Sequence, residues 1–311
     1  MSLRRLQRRA MAVATDDRIA RLVSRSPLAR EIATAYVAGE DAEAAALTAL
    51  DRVGKGLDVS LYPLDPAATN PEDAERATGN LLDSVAVVAR QPELEGHTEV
   101  SVSLSGLGLM LPHGETLAAE NARRVCLAAR NAGVLVGIDD EGPAVHEAAR
   151  PVIADLLQDF PDTGVTVQAA RHDSLGQIRD LAVPGQRIRL CKGEYTGPRS
   201  VSLVRPHDID LRMAACLRAL VASPAVPLVA SHDPVVISVA EYLADVTGRG
   251  DIEFQMLQGI RPLEQRRLVD VGRRMRVHLP WGHQWYHYCA RRVVERPANI
   301  WLFSRSLVRQ R

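Results

Sequence analysis

The stretch RIRLCKGEY (187–195) places Arg187, Arg189, Lys192 and Glu194 within nine positions, in a run that otherwise reads as a buried strand. Cations at a strand end can neutralise a pyrophosphate, or a negative charge developing on a reduced ring. A plainer reading stands beside it: Lys192 and Glu194, two apart on a strand, share a face and pair with each other. Polar residues also gather at the ends of other apolar runs. They are Ser103 and Ser105, then Asp139, Asp140 and Glu141, then Gln168, then Ser231, His232 and Asp233. Glu253, Gln255 and His278 follow, with Arg291 and Arg292 further on. Such a mixed acidic and basic set suits a zwitterion or a phosphate-bearing cofactor better than an apolar ligand. Taken singly, each member reads equally well as a structural ion pair, a helix cap or a solvated charge. Their recurrence at the end of nearly every run is what points to a site.

A second chemistry is conceivable. His283 and His287, spaced i, i+4, could share a metal with His278 or Asp139 nearby, as in a barrel hydrolase. HExxH is absent, however, and Trp285, Tyr286 and Tyr288 interleave with these histidines. The same residues therefore also read as one helix face packed on the body of the protein, and no metal is expected.

The elements that must position these residues follow a regular rhythm. From residue 56 short β-prone runs alternate with longer segments of helical period. The runs are 56–64, 99–104, 133–139, 164–170, 187–191, 226–231, 252–257 and 274–280. Each is followed by a helix candidate, the last at 283–296. Alternation of this kind gives a mostly parallel sheet, and eight units in about 240 residues suit a closed (β/α)8 barrel. In such a barrel ligands bind at the C-terminal ends of the strands, where the polar residues fall. An open doubly wound sheet would call for a glycine-rich first turn, and GLGLML (106–111) lacks the GxGxxG spacing. It reads as a loop. Residues 1–50 form a helical segment rich in Ala, Arg and Leu, and 51–311 the barrel domain with its helix at 283–296.

Composition narrows the class. The 311 residues carry 38 basic and 38 acidic side chains, and 46% are hydrophobic. This is a soluble globular composition, and zero net charge argues against nucleic acid as the main partner. RRLQRR near the start lacks the apolar stretch of a signal peptide. No apolar run reaches the ~18 residues of a membrane span. Cys126, Cys191, Cys216 and Cys289 form no CxxC pair and read as reduced core thiols of a cytoplasmic protein.

Five stretches in order resemble the proline dehydrogenase family. RLCKGEY (189–195) is similar to its R-L-x-K-G-A-Y and EFQMLQG (253–259) to its E-F-Q-M-L-x-G. PWGHQWY (280–286), followed by Arg291, Arg292 and ERPAN, resembles its final strand and active-site helix. Ser231, His232 and Asp233 resemble T-H-D, and IDDE (138–141) resembles V-D-A-E. The resemblance implies a distorted (β/α)8 barrel that binds FAD, oxidises L-proline to 1-pyrroline-5-carboxylate and passes electrons to a membrane quinone. It implies Asp139 and Arg189 as catalytic residues. Arg291 and Arg292 would clamp the substrate carboxylate, a task suited to the guanidinium fork. Ser103, Tyr195 and His278 would complete the substrate pocket. Asp140, Gln168, Arg189, Lys192, Gly193, Glu194, Ser231 and His232 would line the FAD, with Glu253 and Gln255 behind them. A quinone acceptor implies contact with the inner face of a membrane, which the arginine-rich N-terminal helix could supply.

The sequence also departs from the family pattern. Ser103 stands where the family carries Lys, Glu194 and Asp140 where it carries Ala, and His278 and Gln258 where it carries Tyr. A lost Lys and a gained Glu make the pocket about two charges more negative if both face inward. This suggests a second reading: a related flavoenzyme acting on hydroxyproline or another secondary-amine amino acid in a specialised biosynthetic pathway. A relative that has lost its flavin is a third.

Overall fold

The structure, a computed structural model, describes residues 33–193 and 198–295, and of 291–295 the helical backbone only. Residues 1–32, Glu194 and Tyr195, and the side chains of Arg291 and Arg292, therefore lie outside the described residues.

Eight parallel strands close into a barrel in sequence order. They are β1 (Asp58–Pro63), β2 (Thr98–Val102), β3 (Leu135–Ile138), β4 (Gly164–Gln168), β5 (Arg187–Cys191), β6 (Val226–Ala230), β7 (Glu253–Leu257) and β8 (Arg274–Trp281). β8 pairs with β1 over six residue positions, from Asp58 opposite Arg276 to Pro63 opposite Trp281, and so closes the ring. The helices are α1 (Ala42–Val53), α2 (Pro71–Ala89), α3 (Gly114–Asn131), α4 (Pro143–Asp159), α5 (Ser174–Leu181), α6 (Pro206–Val221), α7 (Pro234–Thr247), α8 (Pro262–Asp270) and α9 (Trp285–Glu295). The expected alternation and barrel are thus present. α1 runs past residue 50, so the helical segment assigned to 1–50 extends into the first turns before β1.

Local sequence explains where the helices begin. Five of them open with proline in the first turn, where its missing N–H costs nothing. Asp41, Asn70 and Asp233 accept backbone N–H groups at the starts of α1, α2 and α7.

The apolar core lies between the strands and the helices. Val59, Leu61, Val100, Val102, Val136, Ile138, Ile188, Leu190, Phe254, Met256, Val277 and Leu279 alternate along the strands and are buried there. The residues between them face the barrel interior, and they are polar: Ser60, Glu99, Ser101, Arg187, Glu253, Gln255, Arg276 and His278 are all buried. Charges taken from water demand partners, and each finds one. Arg187 Nη2 lies 2.5 Å from Glu99 Oε2. Arg276, 1% exposed, donates from Nε to Glu253 Oε1 at 2.7 Å and from Nη1 to the carbonyls of Val59 and His97. Among the described residues no helix is long and apolar enough to cross a membrane. The four cysteines form no disulfide.

Candidate active site

The C-terminal rim is built around one ion pair. Arg189, on the inward face of β5, reaches across β4 to Asp139 at the end of β3, with Nη1 2.6 Å from Oδ1. Ser101 on β2 donates its hydroxyl to Asp139 Oδ2 at 2.7 Å. Burial pushes the Asp139 carboxyl above its ordinary range. Arg189 and Ser101 pull the other way, while Glu141 and Glu99 add to the push. Burial likewise opposes the Arg189 guanidinium, but Asp139 and then Glu99 outweigh it and hold the group charged.

Beside this pair stands a cradle of backbone and amide. Gln168 ends β4 and donates from Nε2 to the Asp140 carbonyl at 3.0 Å. Gly193, just past β5, has φ +104°, and a Cβ there would lie 2.7 Å from Gln168 Oε1. That conformation and approach require glycine. The Asp140 side chain turns elsewhere: it is 4% exposed, with Oδ2 3.1 Å from His146 Nδ1 on α4. The alignment there does not make a hydrogen bond, so both carboxylate oxygens are buried without one. The contribution of Asp140 at the rim is its carbonyl.

Lys192 bridges two carboxylates, Asp210 at 2.6 Å and Asp233 at 2.5 Å. Desolvation works against its ammonium, but these hydrogen-bonded anions leave its pKa raised. Glu194, the other member of the Lys192–Glu194 pair read from the sequence, lies outside the described residues. Ser231 Oγ accepts the Asp233 N–H, and Asp233 caps α7. His232 Nε2 accepts the Leu257 N–H at 2.9 Å, which fixes the ring with its proton on Nδ1. Gln255 donates to Glu253, so these two stand beneath the rim, in the charged layer of the barrel. The His278 ring lies 5.1 Å from the ring of Tyr62, tilted 33° to it.

Ser103 takes part in a structure that the sequence reading missed. Ser103 and Ser105 both donate hydroxyls to Glu141 Oε1, and the Ser105 N–H donates to Oε2 at 2.9 Å. Glu141 is held entirely by neutral donors, with no Lys, Arg or His of the described residues within ion-pair distance. Ser101, Glu99, Arg276 and Asp210 were also missed. For Ser101, Glu99 and Arg276 the available signal was a charged or hydroxyl residue at every second position of an otherwise apolar strand; Asp210, on α6, had none.

His283 and His287 do not share one helix face. His283 precedes α9, is 83% exposed and stands 3.8 Å from Glu40, so the i, i+4 helical spacing with His287 does not apply. Among the described residues no group of three or more His, Cys, Asp or Glu side chains is placed to hold a metal.

Comparison with known proteins bears on this site. The family model described as proline dehydrogenase matches residues 46–301. The chain is 30% identical to proline dehydrogenase 1 of Bacillus subtilis (strain 168) over 266 residues, covering 85% of this chain and 86% of that one. It is 31% identical to the proline dehydrogenase of Deinococcus radiodurans over 277 residues, 86% and 87% of the two chains. Among solved structures, proline utilization A from Bdellovibrio bacteriovorus, inactivated by N-propargylglycine, aligns with a TM-score of 0.76 at 19% identity. That alignment covers 86% of this chain and 32% of the longer one. This chain thus spans about a third of that protein, and the likeness concerns the fold. The family match runs from α1 through all eight strands and α9, and this chain belongs to the proline dehydrogenase family.

Proposed function

We propose that the chain is an FAD-dependent dehydrogenase that oxidises L-proline to 1-pyrroline-5-carboxylate at the Asp139–Arg189 rim. The observation that carries this reading is the buried Asp139–Arg189 pair at the C-terminal end of the barrel, in a member of the proline dehydrogenase family. The residues present fit a flavin. Gly193 presents bare backbone at the strand end, at φ +104° and packed against Gln168, and Arg189 is a cation fixed at the strand end, where a reduced ring would place negative charge. Arg189, Gln168, Lys192, Gly193, Ser231, His232 and the Asp140 carbonyl would hold the cofactor, with Glu194 assigned to the same surface. When bound, FAD would accept the C–H hydrogen beside the proline nitrogen as hydride, that is, with its electron pair.

The remaining work falls to the protein. Arg291 and Arg292, on α9, are assigned to the substrate carboxylate, and Tyr195, Ser103 and His278 to the walls around the ring. Asp139 holds Arg189 in one rotamer, so that its charge needs no reorganisation during reaction. The substrate amine must shed its proton before its neighbouring C–H can leave as hydride. Re-oxidation is assigned to a quinone at the inner face of a membrane. The N-terminal arginines offered for that contact lie outside the described residues.

The test is the visible spectrum of the FAD-supplemented protein under anaerobic conditions, before and after L-proline. Flavin bands that bleach on addition are expected. Bands that persist with L-proline would overturn the substrate assignment, and a protein that takes up no flavin would overturn the cofactor assignment.

A further inference from the structure

Beneath Asp139–Arg189 the barrel holds a second, wider crossing one layer down. Glu99 on β2 and Arg187 on β5 meet across β3 and β4, with side chains 3% and 9% exposed. They can meet because the intervening strands carry glycine at that level. Gly137 and Gly164 are register partners. A Cβ on Gly137 would stand 3.1 Å from the Glu99 carboxylate, and one on Gly164 would stand 3.4 Å from Arg187 Nη1. Ser60 donates a further hydrogen bond to Glu99 at 3.1 Å. Arg187 Nη1 is buried with no hydrogen-bond partner. Burial opposes the Glu99 carboxylate, yet Arg187, Arg276 and Arg189 hold its pKa at about 2.

Neither residue is exposed enough to touch a ligand at the rim. Both nevertheless act on groups that would. Two residues along a strand correspond to roughly 6.6 Å, and charges at that separation in a protein interior are weakly screened. After Asp139, Glu99 is the strongest anion acting on Arg189. It also adds to the upward push on Asp139. A purely structural pair could be exchanged for neutral side chains of similar shape with little effect on the layer above.

We propose that the buried Glu99–Arg187 pair is a positioning element of the active site, whose two charges set the field at Arg189 and through it the reduction potential of the bound flavin. The inference rests on the FAD reading above. Glu99 offsets part of the positive charge that favours the reduced, more anionic ring, and Arg187 adds to that charge. The pair thereby fixes the potential from below, without contact with cofactor or substrate.

Opposite signs make the idea testable. The midpoint potential of the FAD-loaded protein would be measured by spectroelectrochemistry for the wild type, E99Q, R187Q and the double variant. E99Q is expected to raise the potential and R187Q to lower it. Each shift should change the oxidised-to-reduced ratio at least tenfold, about 30 mV for a two-electron couple. The double variant should return close to the wild-type value. Unmoved potentials, or single variants that shift in the same direction, would overturn the proposal. Should E99Q fail to fold, R187Q and the double variant carry the test: a lowered potential in R187Q with a near wild-type value in the double variant supports the proposal, and an unmoved or raised R187Q potential refutes it. A wild-type protein without flavin sinks the cofactor reading itself, before any variant is made; flavin present with potentials indifferent to these charges sinks only the present inference.

Discussion

Arg189 Nη1 stands 2.6 Å from Asp139 Oδ1, although the two residues sit on strands separated by a third. The contact spans the mouth of the barrel and is braced by Ser101 on β2. Asp139 thereby fixes both the rotamer and the charge of the cation. Asp139→Asn should keep the fold and the flavin but lower kcat/KM for L-proline by about 10²-fold or more, the scale of removing one preorganised electrostatic partner. Flavin content by absorbance and steady-state kinetics check this together. An unchanged kcat/KM would remove Asp139 from the chemistry.

The Asp139 carboxyl has its pKa raised from the ordinary value of 3.8, chiefly by burial. The folded state therefore retains the proton over a pH range where a free aspartate has lost it. The ionised form that pairs with Arg189 is lost as pH falls through this raised value, so the acidic limb of the kcat/KM profile should lie above 3.8. Glu141 contributes to the upward push. Glu141→Gln should move the limb to lower pH, and a limb that stays in place would separate it from Asp139.

Gly193 has φ +104°, and an added Cβ would displace Gln168 Oε1. Gln168 is itself tied to the Asp140 carbonyl. Gly193→Ala should therefore weaken FAD binding by about 1–3 kcal/mol, roughly 5- to 150-fold. The same strain sits in the folded apoprotein, so the thermal midpoint should fall as well, and added FAD should raise it less than in the wild type. Titration of apoprotein with FAD measures the effect.

Stability should divide sharply between two neighbouring arginines. Arg276 is fully buried against Glu253, so Arg276→Met leaves a buried carboxylate without its partner and should cost about 3–5 kcal/mol. Arg274 reaches the same carboxylate from 3.4 Å with half its side chain in water, and Arg274→Ala should cost less than about 1 kcal/mol. Urea unfolding distinguishes them. Acid acts on the same layer. The Glu99 pKa falls from 4.5 to about 2 on folding, so its stabilisation is complete above 4.5 and is lost as pH drops from there through about 2.

The barrel was legible because apolar runs and helical segments alternate eight times. The strand-end residues were legible as a set for the same reason. What stayed hidden was pairing. Arg187 and Arg189 stood out as cations in a buried strand, but their anions, Glu99 and Asp139, lie 88 and 50 residues earlier. Only the register of β2 to β5 brings them together. Gly137 and Gly164 carry no local signal; only that register shows a side-chain crossing passing over them. Lys192 is a further case: its described partners, Asp210 and Asp233, come from the starts of later helices and carry no local signal near residue 192. Asp140 shows that adjacent acids on one loop need not share an environment, since each successive residue leaves a strand end in a different direction.

The charged interior also governs when this chain can fold. Glu253 receives Arg276 from the final strand, and that same arginine closes on carbonyls of Val59 and His97 at the start of the barrel, 217 and 179 residues away. During synthesis, a nascent chain ending after β7 would carry Glu253 without the counterion that β8 brings. Partial barrels are therefore penalised by their own lining, and commitment to the native state is delayed until β8 has left the ribosome.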